Sequence, residues 1–267
     1  VTMWELSIAV YGSLQWLTRR RTAKRGAAPI RSFAYLFLWP GMDARAFLDP
    51  ASAISTKKPT PQEWAFAVLK FLTGILLFVA AVRHLTRSDQ RLAGALGMLA
   101  IVFSLHFGLF HLLSCLWRVV GWSARPIMNW PIRSLRVTEF WGVRWNRAFR
   151  DLTHRFLFRP MTSWLGPRWG LFGVFLFSGL VHDIVITVPA GGGYGGPTAY
   201  FLIQAAGLLA ERSPLFPKLG IVGGWVWTAS VTALPVGLLF PGEFLRNVIV
   251  PFLQFLESIP WTRFLPV

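Results

Sequence analysis

Residues Trp169–Ala190 read WGLFGVFLFSGLVHDIVITVPA, and this long apolar stretch decides the fold. It contains only two ionisable side chains, His182 and Asp183, which are adjacent. A helix needs about 20 predominantly apolar residues to cross the roughly 30 Å of hydrocarbon in a bilayer. The stretch therefore predicts a membrane-spanning helix.

Six further apolar segments surround this one in a chain that is 54% hydrophobic and only 14% charged. Soluble domains carry about 25% charged residues, so a water-facing globule is excluded. Two of the seven segments, Thr2–Leu17 and Thr198–Ala210, are short for a membrane span. We therefore expect one domain over residues 1–267, an all-α polytopic membrane bundle with six to seven spans. The segments are Thr2–Leu17, Trp64–Val82, Leu92–Trp117, Trp169–Ala190, Thr198–Ala210, Ile221–Phe240 and Phe244–Ile259.

The loops between these segments are alternately rich and poor in Lys and Arg. Residues 18–63 carry nine Lys and Arg, residues 83–91 three, residues 118–168 ten and residues 191–197 none. Because cytoplasmic loops are enriched in Lys and Arg, we expect the two large basic loops to face the cytoplasm. The membrane is predicted to be a bacterial inner membrane or the endoplasmic reticulum. The net charge of +16 then indicates contact with anionic lipids and no nucleic-acid partner.

The two large basic loops also contain apolar stretches that are too short to span, at Phe33–Trp39 and Phe156–Phe158. Short apolar stretches beside arginine and tryptophan are typical of helices that lie at the membrane surface. We predict interfacial or re-entrant helices at both places.

His182 is the strongest candidate for chemistry. Counted from Trp169 at the cytoplasmic edge, it lies about 20 Å along a helix. Ionisable residues at such depth are costly and usually mark a functional site. A histidine that only bonds a neighbouring carbonyl is the structural alternative, and adjacent Asp183 favours function.

A second informative stretch precedes it: Ser134–Asn146 reads SLRVTEFWGVRWN, and Ser178–His182 reads SGLVH. Together the two stretches resemble the wax synthase branch of the membrane-bound O-acyltransferase superfamily. The resemblance covers about Leu105 to Glu211.

The resemblance implies a helical membrane enzyme that transfers an acyl group from acyl-CoA to a long-chain alcohol or another lipophilic hydroxyl compound. It implies Asn146 and His182 as the catalytic residues and acyl-CoA as co-substrate, with no further cofactor. A neutral imidazole suits the removal of the alcohol proton, and an amide can hold the substrate or stabilise the oxyanion. The resembled plant enzymes carry Glu where this chain has Asp183.

Further candidates are assigned to substrate binding rather than to catalysis. Basic residues of the loop at residues 118–168 suit the phosphates of CoA. The general enrichment of Lys and Arg in cytoplasmic loops also accounts for any single one of these arginines. Polar residues within apolar segments are candidates for lining the cavity. The candidates are Arg144, Trp145, Arg147, Arg150, Asp183, Ser178, His106 and His111.

No metal site is predicted, because His106 and His111 are about 140° apart around a helix and do not share a face. Ser178 lies one turn before His182, which leaves open a serine nucleophile. We favour the alternative, in which its hydroxyl bonds back to its own helix. A transporter or channel with a His182–Asp183 relay is the competing function, and a non-catalytic scaffold is a third.

Overall fold

The computed structural model describes residues 2–22, 28–51, 57–85 and 89–258, and the regular structure within them is helical, without a strand. The helices are α1 (Thr2–Thr22), α2 (Pro29–Phe37), α3 (Ala44–Leu48), α4 (Pro61–Leu85), α5 (Gln90–Ile101), α6 (Phe110–Val119), α7 (Val137–Glu139), α8 (Arg147–Thr153), α9 (Arg159–His182), α10 (Val188–Ala190), α11 (Gly196–Glu211), α12 (Ile221–Ala233), α13 (Val236–Leu239), α14 (Gly242–Phe244) and α15 (Val250–Ser258). Tighter or wider turns join several of them: π-helical Val102–Leu109, Phe140–Arg144, His154–Phe158, Asp183–Thr187 and Leu245–Ile249, and a 3-10 turn at Pro131–Arg133.

The all-α membrane fold is confirmed. Each of the seven predicted segments lies mainly on helix; Leu234 and Pro235 form a turn, Phe240 lies in a bend, and Ile259 is outside the described residues. Within the described part of the chain, four helices are long and apolar enough to cross a membrane: Pro61–Arg83, Gln90–Val119, Arg147–Ala190 and Ile221–Leu239. Helix α11 has 16 residues, or about 24 Å of length. The larger count of six to seven spans stays a prediction.

The longest of these helices, Arg147–Ala190, is interrupted at Gly166. Gly166 has φ 80° and ψ 167°, a conformation that glycine adopts without steric cost. Pro167 follows, and its fixed φ suits the first turn of the next helical stretch. The apolar stretch from Trp169 onward is thereby separated from the basic turns before Gly166.

Helix α2 covers most of the predicted interfacial stretch Phe33–Trp39. One face buries Tyr35 completely, and the other exposes Ile30, Phe33 and Phe37. Tyr35 packs beside Phe47 of α3, with ring centroids 5.8 Å apart. This two-sided helix has the form expected of a segment at the membrane surface.

The described parts of the two large basic loops, at residues 18–63 and 118–168, lie at one end of the bundle. There, Trp225 donates to the carbonyl oxygen of Ile132 at 2.8 Å, and Arg118 to that of Lys57 at 3.4 Å. At the other end, Asn247 donates to the carbonyl oxygen of Ala190 at 2.8 Å. The glycine-rich turn at residues 191–196 therefore lies at the end away from the basic loops.

This separation gives a labelling prediction for the protein expressed in a bacterial inner membrane, with Cys115 replaced by alanine. Cysteines at exposed Arg21 or Arg133 should react with an impermeant maleimide only after cell disruption, because both lie in the basic loops. A cysteine at Tyr194, 68% exposed, should react in intact cells. Labelling of all three in intact cells would contradict the predicted orientation.

Candidate active site

His182, the last residue of α9, has a defined tautomer. Its Nδ1 lies 2.7 Å from the carbonyl oxygen of Ser178, one turn earlier. Because a carbonyl only accepts, Nδ1 carries the hydrogen and Nε2 carries the lone pair. The imidazole packs against Phe201 of α11, with ring centroids 4.6 Å apart. A neutral imidazole with its lone pair at Nε2 is the form that a general base requires.

Ser178 meets His182 through its backbone and not through its hydroxyl. The hydroxyl donates to the carbonyl oxygen of Val174 at 2.8 Å, within the same helix. The side chain is also buried. Since the hydroxyl hydrogen is directed back along the helix, the structure forms no serine–histidine hydrogen bond of the type that activates a nucleophile.

Asp183 points its carboxylate at the start of α11. Oδ1 accepts from the backbone N–H of Gly195 at 2.9 Å and from the Thr187 hydroxyl at 3.3 Å. Oδ2 accepts from the backbone N–H of Thr198 at 3.0 Å and from the Thr198 hydroxyl. This carboxylate therefore has a helix-capping role, and its predicted substrate-binding role stays a prediction.

Asn146 caps the N-terminus of α8. Its backbone is left-handed, with φ 34°, a conformation that asparagine tolerates better than most residues. Oδ1 accepts from the backbone N–H of Phe149 at 3.2 Å. The cap uses only the amide oxygen, so the two N–H groups of Nδ2 are the donors that the side chain has left to offer a ligand.

The stretch Ser134–Leu152, called here the signature loop, is held by an internal ion pair. The guanidinium of Arg144 lies 2.6 Å from Glu139 and also donates to the backbone oxygens of Asn129 and Trp130, at 3.3 and 3.4 Å. Burial acts to raise the pKa of Glu139, but the N–H of Leu135 and the charge of Arg144 outweigh it and the pKa is lowered. Arg144, expected at the CoA phosphates, is thus occupied in shaping the loop.

A row of aromatic rings connects the signature loop to His182. Trp145 stacks on Phe140 at 5.4 Å, and Phe140 contacts Trp141 at 5.2 Å. Trp141 contacts Phe201 at 5.7 Å, and Phe201 packs against the imidazole of His182. The row places the two predicted catalytic segments in one packed unit. Trp145 is part of that packing.

Helix α11 supplies two loop anchors that the sequence analysis missed. Gln204 accepts from the indole N–H of Trp141 at 3.2 Å. Glu211 accepts from the backbone N–H groups of Val137 at 2.5 Å and Thr138 at 2.9 Å, and from the indole N–H of Trp227 at 2.9 Å. The available signal was a glutamine inside an otherwise apolar segment, where a polar group needs a partner.

Two of the predicted phosphate-binding arginines lie on α8, Arg147 at its start and Arg150 in its last turn. Arg150 pairs with Asp151 at 2.7 Å, and its Nε is buried without a partner among the described residues. Arg147 makes no ion pair in the described part of the chain, and Arg125 and Arg150 are near enough to repel its charge. Helix α8 thus carries two arginines and one carboxylate, that of Asp151.

His106 and His111 lie in different surroundings. The ring of His106 packs on Phe110, and its Nδ1 is buried without a partner among the described residues. His111 contacts Glu63 at 3.1 Å and Lys70 at 3.4 Å. That both histidines line the substrate cavity stays a prediction.

One group of potential metal ligands occurs in the described residues: Glu63, His111 and Cys115, whose ligand atoms lie within 4.8 Å of one another. However, Arg118 donates to both carboxylate oxygens of Glu63. Arg118 also contacts the Cys115 sulfur at 3.6 Å. A guanidinium already occupies the position that a metal cation would need, so this group is an ion-pair network.

An open groove of about 670 Å³ lies between α9 and α11. Leu180 and Ile184 line it. Each of them is about 160° around the helix from His182. The groove is therefore on the opposite face of α9 and does not surround the imidazole.

The sequence model of the Membrane bound O-acyl transferase family matches residues 122–203, which include both Asn146 and His182. The chain is therefore similar to this family over these residues. The resemblance noted from the sequence is confirmed, and Phe201 falls within the family region as well.

Similar proteins from Arabidopsis thaliana extend this result. Two that are named probable long-chain-alcohol O-fatty-acyltransferases 6 and 9 are 26% and 28% identical, over 69% and 45% of this chain and 57% and 37% of their own lengths. Acyl-CoA–sterol O-acyltransferase 1 is 24% identical, over 42% of this chain and 34% of its own. The chain thus spans a little over half, or less, of the length of these relatives. Their names agree with the wax synthase branch of the O-acyltransferase family.

The capping role of Asp183 predicts a loss of stability when it is replaced. Asp183→Ala leaves the N–H groups of Gly195 and Thr198 without their acceptor, and should lower the free energy of unfolding by about 1–3 kcal/mol. The melting temperature of the purified protein in detergent measures this. Ile184→Ala, at an exposed neighbouring position, is the control. Equal melting temperatures for the two variants would contradict the capping role.

Proposed function

We propose that the protein is an acyl-CoA-dependent O-acyltransferase that esterifies a long-chain alcohol or another lipophilic hydroxyl compound. The observation that carries the proposal is the tautomer of His182, whose Nδ1–H is bound to Ser178 and whose Nε2 is therefore a base. The match of this region to the O-acyltransferase family supports the same activity.

In the proposed reaction, Nε2 of His182 accepts the proton of the alcohol hydroxyl while the alcohol oxygen attacks the thioester carbon. A tetrahedral oxyanion forms, and the amide N–H groups of Asn146 are the proposed donors to it. The C–S bond then breaks, CoA leaves as the thiolate, and the proton on His182 returns to the sulfur. The products are an ester and CoA–SH.

The surroundings of His182 suit this chemistry. The imidazole lies against Phe201 within an apolar helix pair, and such a site keeps water away from the thioester. Water exclusion matters because hydroxide or water would otherwise compete with the alcohol. We propose that the acceptor reaches the site from the lipid phase and that CoA enters from the basic, cytoplasmic end.

The competing relay function receives less support from the geometry. A relay needs His182 and Asp183 to exchange a proton, but Asp183 is directed to Gly195, Thr187 and Thr198. No hydrogen bond joins the two side chains among the described residues. The carboxylate is used to fix a helix end.

Replacement of the base tests the mechanism. In purified protein supplied with acyl-CoA and hexadecanol, His182→Ala should lower kcat by about a hundredfold or more, because general bases contribute on that scale. His154→Ala is the control, since His154 is exposed and stacks only on Phe158. Ester is measured by mass spectrometry. Near-normal kcat in folded His182→Ala protein would remove the histidine from the mechanism.

The unbalanced cation Arg147 is proposed to bind a phosphate of CoA. Arg147→Gln should raise KM for acyl-CoA by about tenfold, the loss of one charge-assisted contact of about 1.4 kcal/mol. It should not change KM for an acyl thioester of N-acetylcysteamine, which has no phosphate. Arg212→Gln, at an exposed arginine of the same end, is the control. Equal effects on both thioesters would show that Arg147 does not contact phosphate.

A further inference from the structure

Gln204 is fully buried in the middle of an apolar helix and has both ends of its amide bonded. Its Oε1 accepts from the indole Nε1–H of Trp141 at 3.2 Å. Its Nε2 donates to the carbonyl oxygen of Val231 on α12 at 2.8 Å. Because an indole N–H only donates and a carbonyl only accepts, the orientation of the amide is fixed.

Trp141 is the ring through which the signature loop reaches the histidine. It packs on Phe175 of α9 at 5.6 Å and on Phe201 of α11 at 5.7 Å. Phe201 is also the ring against which the His182 imidazole rests. A rotation of Trp141 would change the surface that holds His182 and the backbone that leads to Asn146.

We propose that Gln204 is a positioning residue for acyl transfer, acting through Trp141. The inference rests on the proposed function. The amide of Gln204 fixes the indole between the helices and so fixes the relative placement of the His182 base and the Asn146 amide. Reaction geometry is sensitive to displacements of about 1 Å, which can change rates by up to about a hundredfold.

The test compares ester formation by Gln204→Met with that by Gln15→Met. Methionine keeps the length of the side chain but cannot replace either hydrogen bond. Gln15 is also fully buried and donates to the carbonyl oxygen of Trp39 at 2.6 Å, but it lies on α1 outside the aromatic row. Gln15→Met therefore reports the general effect of removing a buried glutamine.

Gln204→Met should lower kcat per folded molecule by about tenfold and leave KM for acyl-CoA within about twofold, since the groups that hold CoA are untouched. Gln15→Met should leave kcat within about twofold. Trp141→Phe removes the same hydrogen bond from the other side, and it provides the test if Gln204→Met does not fold. The double variant should lose no more kcat than Trp141→Phe alone, because the hydrogen bond between Gln204 and Trp141, which acts on the aromatic row, is removed by both changes.

Unchanged kcat in Gln204→Met, a loss equal to that of Gln15→Met, or additive losses in the double variant would each overturn the positioning role. If Gln204→Met does not fold, unchanged kcat in Trp141→Phe overturns it. Absence of ester from the wild-type protein in the same assay would instead overturn the proposed function, and this inference with it.

Discussion

Gly179 of α9 and Thr198 of α11 approach so closely that a Cβ at position 179 would lie 2.6 Å from the Thr198 Cα. Real side chains do not occupy such a distance from a backbone atom, so only glycine permits this crossing of the two helices. One turn later, Asp183 accepts hydrogen bonds from the N–H of Thr198 and fixes where α11 begins. The backbone contact and the cap together set the register of α11 against α9.

From that register, one face of α11 holds the site together. Positions 201, 204, 208 and 211 recur at helical spacing and lie within an arc of about 80° on one side of the helix. Phe201 supports the His182 ring, Gln204 holds Trp141, and Glu211 caps the N–H groups of Val137 and Thr138. The signature loop is thus positioned by a helix that follows it, through the buried amide of Gln204 and the partly buried carboxylate of Glu211.

The sequence predicted what depends on local pattern. Apolar length predicted the helices, and depth within Trp169–Ala190 made His182 the candidate base, a role that stays a prediction. It did not predict the partners, because Gln204 and Trp141 are 63 residues apart, and Glu211 and Val137 are 74 apart. For the same reason, Arg144 and Asp183 were assigned to substrate, whereas each has partners that only the folded chain brings near. The presence of Gly166 did not predict the break in the long helix, because other glycines in the same helix do not interrupt it.

In the proposed reaction, an alcohol oxygen attacks the thioester of acyl-CoA at a site that excludes water. The most direct measurement supplies the purified protein in lipid vesicles with acyl-CoA and oxygen-18-labelled hexadecanol, and determines the products by mass spectrometry. Acyl transfer to the alcohol should give an ester that retains the label, free CoA in equal amount, and little free fatty acid. CoA release with free fatty acid as the main product, or no CoA release at all, would contradict it.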